Sequence, residues 1–318
     1  MITTNKPSIC TKFIILAGIL FVLTGEAVSN PVFIDSVSEQ EMNVLYDSML
    51  AQWSLPYTSV YVKTDIGRTH VIMCGDSGLP ALMLLHGAWL NATMWLKSIP
   101  FFLDHFYIIA VDIPGDIGKS VLENKSCAIR NGEQAAWWYQ QVLDSLGITR
   151  ANILGISMGA WFAMQIASRS PELVVATAVY APMGLNSFHH AQRALFKTII
   201  FKPKNLHLNL LMEALAGAYN PAMLPFRHQY EIAMKSHPLL PKLRRIPARQ
   251  LRNIKGGTFI TLGGHDILMG NVRKVEDRAT KYIPNATVKV LPQQEHVMTL
   301  DASKELLQEI LGFFLKYY

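Results

Sequence analysis

Along most of this chain, apolar runs of strand length alternate with stretches that carry a helical period. Ala81–Leu85, Tyr107–Val111, Ala151–Leu154, Val174–Tyr180, Thr258–Leu262 and Thr287–Leu291 are short and mostly apolar. Between and after them, Gly132–Leu146, Ser157–Ser168, Arg273–Tyr282 and Lys304–Leu315 read as helices, the first with Trp137, Trp138 and Val142 facing inward. Buried strands alternating with helices predict the α/β class, a mostly parallel sheet covered by helices on both faces. Ahead of this region, residues 36–53 predict a helix on the spacing of Val37, Met42, Leu45, Met49 and Trp53. Ser59–Lys63 and His70–Cys74 predict short strands around the turn Asp65-Ile66-Gly67, and residues 75–80 predict a loop.

The alternation stops between Met183 and Lys255. That segment is rich in Leu, Met and Phe and is broken by Pro203, Pro221, Pro225, Pro238, Pro241 and Pro247. It predicts several short helices forming a cap over one end of the sheet. The organisation expected is a leader at 1–29, a helical extension at 30–56, a core made of 57–184 and 255–318, and a cap at 185–254. With 318 residues, half of them hydrophobic and 16% charged, the chain can bury such a core and is not disordered.

Charge adds little. The net value is +6, and part of it lies in Lys242–Lys255, which holds Lys242, Arg244, Arg245, Arg249, Arg252 and Lys255. Without a nucleic-acid-binding motif beside it, this cluster predicts a solvated helical face and no nucleic-acid partner. The N-terminus says more. Lys6 and Lys12 precede the apolar run Phe13–Leu23, and small residues follow up to Ala27-Val28-Ser29. These are the parts of a secretory signal peptide, so the protein is expected to be exported. The run is short for a bilayer span. The alternative is an anchor formed by residues 13–23, the only route to membrane contact. Cys10 would leave with a cleaved leader; for Cys74 and Cys127 the sequence leaves open whether they are bonded, and their spacing offers no zinc site.

Candidate chemistry centres on Gly155-Ile156-Ser157-Met158-Gly159, placed between a predicted strand and a predicted helix. This is the G-x-S-x-G nucleophile-elbow pattern: a strained turn lifts the Ser hydroxyl off the sheet, and a side chain at either Gly would clash with neighbouring elements. A hydroxyl needs a base, expected as a His after the last strand, and His296 stands there. The His needs a carboxylate to fix its tautomer. Asp266, closing Leu262-Gly263-Gly264-His265-Asp266, is the better placed, because the alternative position after the preceding strand, Pro182–Asn186, holds no acid. Asp301 is expected to cap the final helix and Glu295 to be exposed, while His265 and the pair His189-His190 read as surface or cap residues. Donors for a developing oxyanion are expected from the backbone N–H of Met158 and of Ala88, in the loop that opens His86-Gly87-Ala88-Trp89. Trp89 either lines the substrate pocket or packs.

Taken in order, His86-Gly87, Asp112-Ile113-Pro114-Gly115, the Ser157 turn, Asp266 and His296 resemble the α/β-hydrolase superfamily, and within it the capped carboxylesterases, perhydrolases and carbon–carbon bond hydrolases. The resemblance spans roughly residues 57–318. It implies Ser157, Asp266 and His296 as a triad, Ala88 and Met158 as the oxyanion hole, and neither cofactor nor metal. Two departures stand out. Where the family often reads D-x-P-G-x-G-x-S, Gly115-Asp116-Ile117-Gly118-Lys119-Ser120 is one residue longer, and Glu295 replaces a frequent Gly before the His.

The leading expectation is therefore a serine hydrolase of small-molecule carboxylic esters. A carbon–carbon bond hydrolase or perhydrolase would use the same triad, and a non-catalytic binding protein is the reading from another class. An aminopeptidase would need cap carboxylates, of which Glu213 and Glu231 are the few present. The cap supplies Leu195, Phe196, Ile199 and Phe201, then Leu210, Leu211, Met212 and Leu215, then Met223, Leu224 and Phe226. Some of these must hold the cap down; the rest would roof a cleft suited to short and medium acyl groups, without interfacial activation.

Overall fold

In the computed structural model the residues described are 30–186, 193, 202–203, 206–217, 220–297 and 302–317. The leader, His189-His190, Leu195, Phe196, Ile199, Phe201 and Asp301 lie outside them. The strands are β1 (Thr58–Thr64), β2 (Gly67–Cys74), β3 (Ala81–Leu85), β4 (Tyr107–Val111), β5 (Val121–Leu122), β6 (Ala151–Ile156), β7 (Val174–Tyr180), β8 (Gly257–Gly263) and β9 (Ala286–Leu291). They form one sheet in the order β1-β2-β4-β3-β6-β7-β8-β9, with β5 paired to β2. From β4 to β9 every pairing is parallel; β2 pairs antiparallel with β1, β4 and β5. Every residue of β3, β6 and β8 is buried, which requires cover on both faces of the sheet.

The helices are α1 (Ser36–Ala51), α2 (Gly132–Leu146), α3 (Met158–Arg169), α4 (His207–Ala216), α5 (Arg227–Lys235), α6 (Ala248–Leu251), α7 (Val272–Tyr282) and α8 (Lys304–Phe314). Local chemistry sets their ends. Asn131 caps α2 by accepting from the Glu133 and Gln134 amides, and Gly147 stops it at φ 68°. Ser303 caps α8 by accepting from the Leu306 amide. α3 is buried from Met158 to Ser168, as suits a helix that is apolar nearly all round.

Several sequence expectations change. α1 buries Met42, Tyr46 and Leu50, an i, i+4, i+8 stripe, and leaves Val37 at 70% exposure because its spacing to Met42 falls off that stripe. In α2, Trp138 is buried and donates Nε1–H to Thr69 Oγ1 (2.9 Å), whereas Trp137 faces solvent and donates to Asp65 Oδ2 (3.0 Å). Neighbouring helical residues point about 100° apart, so only one of the two indoles reaches the core. The basic stretch is solvated, but only its Ala248–Leu251 portion is helical. Cys74 and Cys127 are free thiols.

The N-terminal extension is tied into the core. Asn30 is buried; its N–H donates to both Glu39 carboxylate oxygens and its Nδ2 to Ser120 O (2.8 Å). The inserted segment is fastened by backbone bonds: Leu239 N–H to Gly115 O (2.7 Å), Ile246 N–H to Gly184 O (2.9 Å), and Val297 N–H to Leu215 O (2.9 Å).

Candidate active site

Ser157 stands between the end of β6 and the first residue of α3, at φ 52° and ψ −110°. A left-handed backbone is costly for a residue with a Cβ and persists only where the surroundings impose it. Here they do. The Ser157 N–H donates to Tyr180 O (2.9 Å) and its carbonyl accepts from Trp161 (3.0 Å). The flanking glycines let the turn close: a Cβ on Gly159 would lie 2.1 Å from Leu85 O, and one on Gly155 would lie 2.6 Å from Gly159 O.

Two loops complete the array. Asp266 follows β8 and His296 follows β9, and the loops are joined by Gly264 N–H to Leu291 O (2.8 Å) and His265 N–H to Gln294 O (3.0 Å). His296 Nε2 is 2.8 Å from Ser157 Oγ, and His296 Nδ1 is 2.7 Å from Asp266 Oδ2. The other Asp266 oxygen accepts from the amides of Leu268 (2.9 Å) and Met269 (3.0 Å), so the carboxylate is fixed on both sides. Both residues are 2% exposed, and the Asp266 side chain is fully buried. Such a chain can move the hydroxyl proton to the imidazole while the carboxylate steadies the ring. His265 is exposed and takes no part. Glu295 is half-buried, its carboxylate lying against Gly217 of the inserted segment.

Ser157 and His296 open into a cavity of about 250 Å³. Gly87, Ala88, Trp89 and Leu90 line it from the loop after β3; Leu211, Leu215 and Tyr230 line it from α4 and α5. The Trp89 and Tyr230 rings meet nearly edge to face, 6.4 Å apart. Leu240, Pro241 and Leu243 close another side, and Leu268 and Val297 come from the Asp266 and His296 loops. Ala88 N–H makes no hydrogen bond within the described protein, and Met158 N–H is the first of α3, where a helix leaves its amides unpaired. Met223 and Phe226 pack into the core instead of the cavity, and Leu224 is 51% exposed.

The loop after β3 is clamped from beneath. His86 Nε2 accepts from Ile113 N–H (2.8 Å), so the ring proton sits on Nδ1, which donates to Gly87 O (2.8 Å). Burial holds this imidazole below its ordinary pKa, as a neutral clamp requires. Asp112 and Asp116, from the loop after β4, are both fully buried. Burial pushes the Asp116 carboxyl up to about 8, against the pull of the Ile117 and Trp89 amides. The sequence marked that loop as one residue too long but carried no sign of what it holds.

Comparison with known proteins places the chain. The sequence model described as "Alpha/beta hydrolase family" matches residues 82–309. The chain is 27% identical over 278 residues to the "Uncharacterized carboxylesterase nap" of Bacillus subtilis, covering 85% of this chain and 90% of that protein. It is 27% identical over 286 residues to "Carboxylesterase YbfK" of the same organism, covering 84% and 91%. The crystal structure of a naproxen esterase from Bacillus subtilis superposes with a TM-score of 0.76 at 25% identity, covering 87% of this chain and 98% of that one.

Proposed function

The chain belongs to the alpha/beta hydrolase family, and from that premise we propose that it hydrolyses carboxylic esters through an acyl-enzyme formed on Ser157. The observation that carries this reading is the hydrogen-bonded chain Ser157–His296–Asp266 opening into an apolar, roofed cavity. His296 Nε2 takes the Ser157 proton as Oγ attacks the ester carbonyl. The negative charge that develops on the carbonyl oxygen meets the amides of Ala88 and Met158. Collapse expels the alcohol, which receives the proton from His296. A water, deprotonated by the same ring, then releases the acid and regenerates Ser157. Asp266, held by the Leu268 and Met269 amides, keeps the ring in the tautomer this requires. The carboxylesterase names of the two relatives support the substrate class.

The cavity bounds the acyl group. Each methylene that finds room contributes about 0.8 kcal/mol, so specificity should rise with chain length until the cavity is full and then drop. Short and medium esters are therefore the substrates, turned over in solution. The test is kcat/KM for p-nitrophenyl esters from acetate to palmitate, with the expected maximum at or below a medium chain. A maximum at palmitate, or a jump above the micelle point, removes this reading of the roof. Turnover of a vinylogous diketone with no activity on any ester reassigns the cavity to carbon–carbon bond hydrolysis. The protein acts after export, its mature chain beginning near Asn30, where a free ammonium would face the Glu39 carboxylate that already accepts from the Asn30 N–H. Mass spectrometry of the native protein checks this; a full-length species in the membrane fraction supports the anchor instead.

A further inference from the structure

Asp116 belongs to the stretch in which the loop after β4 exceeds the common pattern, and it has no polar contact with the cavity. Its side chain is spent on backbone. Oδ1 accepts from its neighbour Ile117 N–H (2.9 Å), and Oδ2 reaches across to Trp89 N–H (2.9 Å) in the loop after β3. His86 Nδ1, occupied with Gly87 O, lies 3.9 Å from the same oxygen. Asp116 N–H donates to Ile113 O (3.2 Å), which closes the turn from which the side chain projects.

The peptide units around Ala88 show what this arrangement does. The Ala88 N–H and the Gly87 carbonyl belong to one peptide unit, and His86 Nδ1–H holds that carbonyl. The next unit carries the Trp89 N–H, and Asp116 holds that. Ala88 thus sits between two buried clamps, one local and one from a distant loop. The second clamp carries a load, because Trp89 is at φ 62°, a left-handed backbone that a side-chain-bearing residue adopts only under constraint. Protonated or not, a buried carboxyl oxygen 2.9 Å from the Trp89 N–H accepts its hydrogen bond and anchors such a turn, since removing that acceptor would leave the amide buried and unpaired. Released, Trp89 relaxes towards the ordinary region, and the Ala88 amide rotates with it.

We propose that Asp116 is a positioning residue for oxyanion binding: by holding the Trp89 amide away from the cleft it keeps the Ala88 amide aimed at the oxygen of the reacting carbonyl. The inference rests on the ester-hydrolase reading of Ser157. A purely structural tie would lower stability and leave the folded enzyme's selectivity for the tetrahedral state intact; a positioning residue changes that selectivity.

The experiment uses the purified full-length protein, its Asp116→Ala and Asp116→Asn variants, p-nitrophenyl butyrate, and an alkyl trifluoromethyl ketone of matching length. Ser157 Oγ adds to that ketone, its proton passing to His296 and the negative charge settling on the former carbonyl oxygen, so the ketone reads the oxyanion site. In Asp116→Ala, kcat should fall about 10- to 100-fold, since small displacements of catalytic groups cost up to that much. Ketone affinity should fall by a similar factor, with KM within about threefold. Asp116→Asn keeps one acceptor for the Trp89 amide but turns a donor or a vacancy towards Ile117, and should lie between; it also replaces the Ala variant if that one does not fold. A folded variant with unchanged kcat overturns the inference, and so does a loss of kcat with unchanged ketone affinity. Wild-type protein that neither turns over the ester nor labels at Ser157 with a fluorophosphonate overturns both this inference and the reading beneath it.

Discussion

The molecule contains a second Ser–His–Asp chain with nearly the same bond lengths as the first. Ser59 Oγ is 2.7 Å from His70 Nε2, and His70 Nδ1 is 2.9 Å from Asp112 Oδ2. In the proposed active site the corresponding distances are 2.8 and 2.7 Å, through the same ring nitrogens. Everything around the two arrays differs. Ser59 lies on β1, an exposed strand in regular antiparallel register with β2, where Ser59 is paired with Ile72 and is only the diagonal neighbour of His70. Ser157 lies at a left-handed turn, at a helix N-terminus, beside a roofed cavity. Asp112 also accepts from the Ala92 and Lys119 amides and the Tyr46 hydroxyl, so its work is to bind α1, β2 and two loops together. A hydrogen-bonded Ser–His–Asp chain is thus not by itself an active site. What makes one of the two a candidate enzyme is the place it offers for negative charge and for an acyl group, and that electrostatic contribution is usually the largest in such catalysis.

The comparison breaks most sharply at the two serines. Ser157→Ala should lower kcat on p-nitrophenyl butyrate by about 10⁶, while Ser59→Ala leaves it within about twofold. A fluorophosphonate probe should leave Ser157→Ala unlabelled although the Ser59 array is intact; a label on Ser59 would dissolve the distinction. The two acids should fail in opposite currencies. Asp266→Asn should cost about 10³ to 10⁴ in kcat through the wrong His tautomer, with little change in denaturant midpoint. Asp112→Ala should cost about 3–5 kcal/mol of stability, read from urea unfolding, because it strands the partners of a buried carboxylate. Smallest is Ser59→Ala on stability, about 0.5–1.5 kcal/mol for one hydrogen bond.

Acid and base titrations sharpen the same contrast within the loop after β4. Burial works against the Asp112 carboxylate, but the His70 hydrogen bond and charge, with the Ala92 amide, hold its pKa below the ordinary 3.8. Its contribution is therefore present above about pH 4 and lost as pH falls through the folded value. Asp116, raised from 3.8 to about 8, runs the other way. The folded protein retains a proton that the unfolded chain releases, so this contribution is lost as pH rises across that window. Melting temperatures from acid to mildly alkaline pH should show a shallower loss at the acid end in Asp112→Asn and a shallower decline between about pH 4 and 8 in Asp116→Asn. Parallel curves for wild type and either variant would remove that acid from the account.

How much of this was legible in the sequence depends on whether the signal was local. Ala81–Leu85, Tyr107–Val111 and Val174–Tyr180 were read to the residue because each is an apolar run stopped by turn chemistry. Gly132–Leu146 was read equally well because Asn131 and Gly147 mark its ends. The side chains that the structure joins at Ser157 were named from a short motif and from their order after strands. The Ser59–His70–Asp112 chain was invisible, since it depends on strand register and joins residues from three separate segments. Leu240, Pro241 and Leu243 were overlooked as cavity wall because they lie in an extended segment without period. The clamp on Trp89 was hidden for the same reason, since nothing in one loop of a sequence announces which amide of another it will hold.

The hydrogen bond between Ser157 and His296 spans 139 residues of chain. Closing so long a loop carries an entropic penalty that local contacts must first offset, which makes this bond one of the slowest to become available to a folding chain. The base arrives only when β9 has docked on β8, and the roof is pinned to the same loop through Leu215 and Val297. A chain with its first seven strands paired would already have most of the sheet and the Ser157 turn, and on the proposed mechanism would hydrolyse nothing. If Ser157 is the nucleophile proposed above, turnover is thereby a readout of finished assembly, and a nascent or damaged chain carries that serine without its base.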